Sequence, residues 1–247
     1  MTSSAAPVVH NSIGWFQLTL GVTLNAQQQL KDFNFSGAPA LEQAIATLLT
    51  SASADSLFVF GQQGVGKSHL LQACVLKVQD TGREAVFLSG KELLKIPPHQ
   101  ASECLAGLEA VALLCVDDLD KLTTDPEWAL GWFHLYNELV QHGGCLIVSA
   151  SDNPRNINCA LDDLRSRLQL ANVFQLQPLN DLECAATFKC KALHKGLQLS
   201  DDLIDYILSR SARGLPNLLT VLDRLDAASW HEKRRITIPF VKQVMGW

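Results

Sequence analysis

Eight consecutive residues, Gly61-Gln62-Gln63-Gly64-Val65-Gly66-Lys67-Ser68, fit the pattern G-x-x-x-x-G-K-[ST]. That pattern serves phosphate binding. Its glycines let backbone N–H groups turn inward around an anion, and the start of the helix that follows adds partial positive charge. The lysine, Lys67, can reach β- and γ-phosphates, and the Ser68 hydroxyl can ligate Mg²⁺. The expected nucleotide-binding set is Gly61, Gly64, Val65, Gly66, Lys67, Ser68 and His69. About 50 residues on, Leu113-Leu114-Cys115-Val116-Asp117-Asp118 is an apolar run ending in two carboxylates. In a parallel sheet the carboxyl end of one strand lies beside the loop that follows another. Asp117 can then join Ser68 in the Mg²⁺ shell, and Asp118 can orient a water.

These residues need a particular scaffold. The chain has 247 residues, 47% hydrophobic and 18% charged, enough to bury a sizeable core and unlike a disordered chain. Short apolar runs at 57–60, 85–88, 111–116, 145–150 and 173–176 read as strands buried on both faces. Helical stretches lie between them, at 67–78, 102–108, 128–141 and 160–168. This alternation predicts an α/β fold with a parallel five-stranded sheet and right-handed crossovers. After Pro178 only helical periodicity remains, at 182–195, 200–211, 215–230 and 238–244. The expected domains are an N-terminal segment over 1–35, an α/β nucleotide-binding domain over 36–177 and a small all-helical lid over 178–247.

Composition excludes several functions. No apolar run reaches the about 18 residues that cross a bilayer, and no Lys or Arg precedes an apolar stretch in residues 1–13, so neither a membrane span nor a secretory signal is expected. A net charge of −5 argues against bulk electrostatic coating of nucleic acid. Seven cysteines without a C-x-x-C pair read as reduced, buried thiols of a cytoplasmic protein, not as a disulfide frame or zinc site. The histidines show no H-x₃-H spacing.

The phosphate loop, the acidic strand and the helical tail together resemble the AAA+ ATPases. Cys145-Leu146-Ile147-Val148-Ser149-Ala150-Ser151-Asp152-Asn153-Pro154 is similar to that family's sensor 1 strand and turn, with Ser151 and Asp152 as the sensor residues. Leu164-Arg165-Ser166-Arg167-Leu168 is similar to the stretch that carries the arginine finger. Within the family the sequence resembles the branch of the bacterial replication initiator DnaA, and more closely its Hda-type homologues. That likeness includes 176–179, the Leu-Asp-x-Leu-Asp-x-Ala-Ser run at 222–229 and Thr237-Ile238-Pro239-Phe240-Val241-Lys242.

The resemblance implies a negative regulator of replication initiation. Bound to a DNA-loaded sliding clamp, it would stimulate the initiator DnaA to hydrolyse ATP, with weak ATPase activity at most of its own. It implies an adenine nucleotide with Mg²⁺, and a homodimer or larger homo-oligomer, since AAA+ proteins place one subunit's finger at another's site. Arg167 is the expected catalytic finger in trans. Arg165, two residues away, lies about 200° round the helix, so the two cannot share one geometry; the plain alternative for Arg167 is a surface ion pair with Asp162 or Asp163. Gln17-Leu18-Thr19-Leu20 resembles a clamp-binding motif, with Gln17 as polar key and Leu18 and Leu20 as anchors; an edge strand, or a segment packed on the chain's own surface, is the other reading. Phe33, Asn34 and Phe35 fall where the family packs base and ribose, and could equally cover the sheet. Lys233, Arg234 and Arg235 form a basic run that is either solvated or touches DNA threaded through the clamp.

One departure bears on mechanism. The family's sensor 2 arginine position falls on Pro216. Proline brings no charge and fits only the first turn of a helix. Arg213 could substitute if the loop bends. Otherwise the lid's grip on phosphate is weaker, and the expected resident ligand is ADP rather than ATP. The alternative from another class is an autonomous AAA+ ATPase, such as a helicase loader or remodelling factor.

Overall fold

The computed structural model describes residues 29–50 and 54–247. Gln17, Leu18 and Leu20 lie outside the described residues. Five strands, β1 Ser56–Phe60, β2 Ala85–Ser89, β3 Leu113–Asp117, β4 Cys145–Ala150 and β5 Asn172–Gln175, form one wholly parallel sheet in the order β2-β3-β4-β1-β5. The helices are α1 Pro39–Thr50, α2 Lys67–Gln79, the short turns α3 Gly90–Leu93 and α4 Ala101–Leu105, α5 Pro126–Gln141, α6 Asp162–Leu170, α7 Asp181–His194, α8 Asp201–Arg210, α9 Leu215–Glu232 and α10 Ile238–Met245.

The four strands β1 to β4 are apolar on both faces because both faces are covered. On one side, Leu70, Leu71, Cys74 and Val75 of α2 and Leu41, Ile45 and Leu48 of α1 pack against Leu57, Val59, Cys115 and Ile147. On the other, Trp128, Trp132, Leu135 and Leu139 of α5 and Leu164 and Leu168 of α6 cover Phe58, Leu114, Val116 and Val148. Two expectations shift. Val111 and Ala112 are apolar but precede β3; Val111 is held in a turn by Leu108. Strand β5 is an edge strand, with Asn172 and Gln175 exposed at its ends, so it is not buried on both faces.

A third apolar cluster, with Phe188, Ile207, Leu222, Leu225 and Phe240 at its centre, joins α7 to α10. Two of its four helices, α7 and α10, start from side-chain caps, whereas Ser200 before α8 makes no capping bond. Asn180 accepts the Glu183 N–H while the Glu183 carboxylate accepts the Asn180 N–H, a reciprocal capping box. The Thr237 side chain caps α10.

Candidate nucleotide-binding site

The sheet order explains how the site assembles. Strand β4 lies between β1, which feeds the phosphate loop, and β3, which ends in Asp117. Chain order is not spatial order here, and the loop sits at the carboxyl ends of the strands, where such sheets bind ligands. Gly64 and Gly66 have φ of 85° and 101°, values that L side chains rarely adopt, and they shape the loop before α2. They also allow close packing. A Cβ on Gly64 would stand 2.5 Å from Cγ of Pro216, and one on Gly66 would stand 3.2 Å from the Phe33 ring.

Lys67 is buried and its ammonium donates to the carbonyls of Gly61 (2.6 Å) and Gln62 (3.1 Å), so it is folded back along the loop. The Ser68 hydroxyl donates to Asp117 Oδ2 at 2.6 Å. Asp117 is also buried, and its other oxygen accepts from the Ser149 hydroxyl. Ser149 Oγ in turn accepts the Asp118 N–H at 2.9 Å. A hydroxyl and a carboxylate already in contact form a hard oxygen pair, and that donor set fits Mg²⁺.

Asp118 is placed differently from its neighbour. Its backbone is left-handed, at φ 55° and ψ 44°. Its carboxylate meets Lys121 at 2.5 Å and Lys91 at 3.5 Å. Burial alone would raise its pKa, but the hydrogen bond and charge of Lys121, with the charges of Lys91 and Lys67, hold it below the usual value. Lys67, Ser68, His69, Lys91, Asp118, Lys121, Ser151 and Pro216 share one cavity over the loop. The His69 ring packs edge-on to Phe33, with ring centroids 5.6 Å apart. Burial, aided by the charge of Lys191, lowers the His69 pKa to about 4, so it is neutral at pH 7.

A family model of the bacterial DnaA ATPase domain matches residues 33–174, more than half of the chain. The chain belongs to the bacterial DnaA ATPase-domain family. A model of the Hda lid domain matches residues 181–245, so this DnaA relative is Hda-like through its last four helices. Domain III of the Thermotoga maritima replication initiation protein DnaA superposes with a TM-score of 0.77 at 18% identity, covering 91% of this chain and 98% of that one. AMPPCP-bound DnaA from Aquifex aeolicus gives 0.68 at 21% identity, covering 85% and 68%. The Thermotoga maritima RuvB Holliday junction branch migration motor gives 0.64 at 17% identity, covering 86% and 70%. At these identities the likeness is one of fold, and the fold is AAA+.

In this DnaA-family core the other expected residues are placed as follows. Pro216, in the first turn of α9, sits directly on Gly64, so the residue expected at the sensor 2 position faces the loop and brings no charge. Arg213 does not line the phosphate cavity; it lines a separate cleft on the lid with Asp181, Asp205 and Leu218, because the turn into α9 carries it away. Phe35 packs at a tilt against Phe33, with centroids 4.7 Å apart, but lines another cleft beside Ile45 and Ala73; Phe33 is the aromatic that touches the loop.

Ser151 lines the cavity and its hydroxyl donates to Asp120. The Asp152 carboxylate accepts from the Asn153 N–H and the Asn156 amide, which ties it into the turn after β4. The polar residue of β4 in contact with Asp117 is Ser149, which the sequence reading passed over. Arg165 pairs with Asp162 at 2.5 Å. Arg167 is exposed on α6, and its guanidinium has no hydrogen bond or ion pair among the described residues.

Proposed function

We propose that this chain binds an adenine nucleotide with Mg²⁺ and acts as a negative regulator of replication initiation, delivering Arg167 to the triphosphate of the initiator DnaA. The observation that carries the reading is the exposed guanidinium of Arg167, which has no ion pair among the described residues, Asp163 one helical turn before it included. A surface arginine without an acid partner is open to an external anion. Such a cation at a γ-phosphate stabilises the charge of phosphoryl transfer, by on the order of 10³–10⁵ in rate in nucleotide hydrolases.

Within the chain's own site, Ser68 and Asp117 would hold Mg²⁺, which neutralises phosphate charge when bound. Lys67 exchanges its two loop carbonyls for phosphate oxygens. With Pro216 at the sensor 2 position, Lys91 and Lys121 are the cations left to meet the terminal phosphate, and both must loosen their hold on Asp118 to do so. That cost disfavours the triphosphate and supports ADP as the resident ligand. Asp118, held by two lysines, is a poor water-orienting group, which fits weak turnover by the chain itself. Gln17, Leu18 and Leu20 are assigned to clamp docking on their sequence resemblance. A DNA-loaded sliding clamp, a homodimer and a cytoplasmic setting complete the proposal; among the described residues no helix is long and apolar enough to cross a membrane.

The test is a reconstituted hydrolysis assay in which initiator DnaA, clamp and DNA are added one at a time. Stimulation should require all three, and Arg167→Ala should lose at least about 10³ of it while keeping nucleotide binding and its melting temperature. Full stimulation by Arg167→Ala overturns the reading. Turnover without the initiator, lost in Lys67→Ala, would instead make the chain an autonomous ATPase.

A further inference from the structure

Outside the phosphate cavity, three residues of different chemistry converge where the segment before α1 meets the lid. Asp32 ends a 3₁₀ turn over Leu30–Asp32, and Cys190 and His194 project from α7. Their carboxylate, thiol and imidazole ligand atoms all lie within 4.8 Å of one another. Cys190 and His194 are four residues apart, so a helix stacks them on one face. His194 Nδ1 already stands 3.3 Å from Asp32 Oδ2. The Asp32 side chain is only 6% exposed, an unusual place for a carboxylate with no lysine or arginine ion pair among the described residues.

We propose that Asp32, Cys190 and His194 bind one divalent transition-metal ion of the zinc type, which clips the segment preceding the phosphate loop to the lid. A sulfur, a nitrogen and an oxygen are the mixed donor set that Zn²⁺ accepts, with water in the fourth position. In a tetrahedral site with arms of about 2.0–2.3 Å, ligand atoms stand roughly 3.3–3.8 Å apart. The Asp32–His194 spacing meets that already, and the thiol needs to close by at most about an ångström and a half. Binding releases the Cys190 proton to solvent, and the resulting thiolate and carboxylate balance the charge of the ion. Lys191 faces the same spot; burial lowers its pKa, while Asp32 and Cys190 act to raise it. The sequence scan for C-x-x-C and H-x₃-H missed this set because its third ligand lies more than 150 residues away in the chain.

The clip would have a mechanical consequence. Asp32 precedes Phe33, the ring packed on Gly66 and His69. The same two pieces are joined once more by the Ser36 hydroxyl donating to Glu183 at the start of α7. A metal ion there would fix the lid relative to the phosphate loop, whatever nucleotide occupies it.

The experiment uses the tag-free full chain, stripped with a chelator and titrated with Co²⁺. We expect one equivalent to bind, giving tetrahedral d–d absorption and a thiolate-to-cobalt charge-transfer band that Zn²⁺ abolishes. Cys190→Ser should lose the thiolate band, and His194→Ala should weaken binding by more than the about 10–100-fold typical of a lost supporting contact. On the unmutated chain, Zn²⁺ should protect Cys190 from iodoacetamide, located by peptide mass, and leave the other half-buried cysteine, Cys159, reacting at its former rate. No thiolate band, a band that survives in Cys190→Ser, or protection that falls on Cys159 instead would each overturn the site. If a variant fails to fold, the alkylation result on the unmutated chain decides. None of these readouts depends on nucleotide binding or on the initiator.

Discussion

Ser149→Ala removes a single oxygen, and the structure says what that oxygen does. It is fully buried on β4 between β1 and β3. It donates to Asp117 and accepts the Asp118 N–H. The first bond is to a charged acceptor, worth roughly 1.5–3 kcal/mol, and the second leaves a buried donor unpaired at roughly 1–3 kcal/mol. Asp117 keeps its bond from Ser68, which limits the loss. A destabilisation of about 3 kcal/mol is therefore expected, which for a chain of this size lowers the melting temperature by roughly 6–12 °C. Thermal unfolding read by circular dichroism measures it. A double-mutant cycle with Asp117→Asn should show coupling of at least about 1 kcal/mol, since the two groups are in contact. In the same variant the Mg²⁺-dependent part of nucleotide affinity should fall while the Mg²⁺-independent part holds. A melting temperature within a degree of the unmutated chain, with additive energies in the cycle, would refute the claim that Ser149 positions Asp117.

Pro216→Arg should restore a cation over Gly64 and tighten triphosphate binding about tenfold or more, with increased salt sensitivity, as measured by competition with a fluorescent analogue; a charge-assisted hydrogen bond is worth about that much. Lys121→Ala should weaken triphosphate more than diphosphate in the same assay, because Lys121 is one of the two lysines that Asp118 holds at the cavity. Asn180→Ala breaks the capping box of α7 and should cost about 1 kcal/mol, seen as earlier melting of the lid helices by hydrogen exchange, with the α/β core unchanged.

The strands and the phosphate loop were legible because their signals are local. An apolar run of four to six residues, a glycine-rich turn and a lysine follow one another in the chain, and nothing distant is needed to read them. Ser149 was not legible in that way. It is the one hydroxyl in Cys145-Leu146-Ile147-Val148-Ser149-Ala150, and alone it looks like the end of a strand. Its role depends on β4 lying between β1 and β3, which is spatial order and leaves no local mark. The same holds for Lys91 and Lys121, which come from different elements and meet only at Asp118. Phe33 and Phe35 alternate along an extended segment, so the sequence shows two aromatics but not which one turns to Gly66. Arg213 failed to reach the cavity for a related reason. The two residues that separate it from Pro216, Gly214 and Leu215, carry the chain into α9, and that turn points the two side chains at different clefts.

Charge bookkeeping over the cavity gives the strongest argument for what it binds. The chain as a whole carries −5. The cavity over the loop is lined by Lys67, Lys91 and Lys121 with Asp118, while His69 is neutral at pH 7; Asp117 and Asp120 stand behind the lining, bonded to Ser68 and Ser151. Three lysines at one wall of an acidic protein are set by placement and not by composition. Each of these cations is held by a group that an anion can replace. Lys67 rests on two carbonyls, which bind an ammonium less strongly than a phosphate oxygen does. Lys91 and Lys121 share the one charge of Asp118, so each is only half neutralised. An arriving anion can therefore claim Lys67 at little cost, and the other two only by dividing their attraction with Asp118. The first two phosphates of a nucleotide gain the loop's N–H groups and Lys67. In the proposed reading a third phosphate would compete with a carboxylate for its cations, with the uncharged Pro216 against the loop.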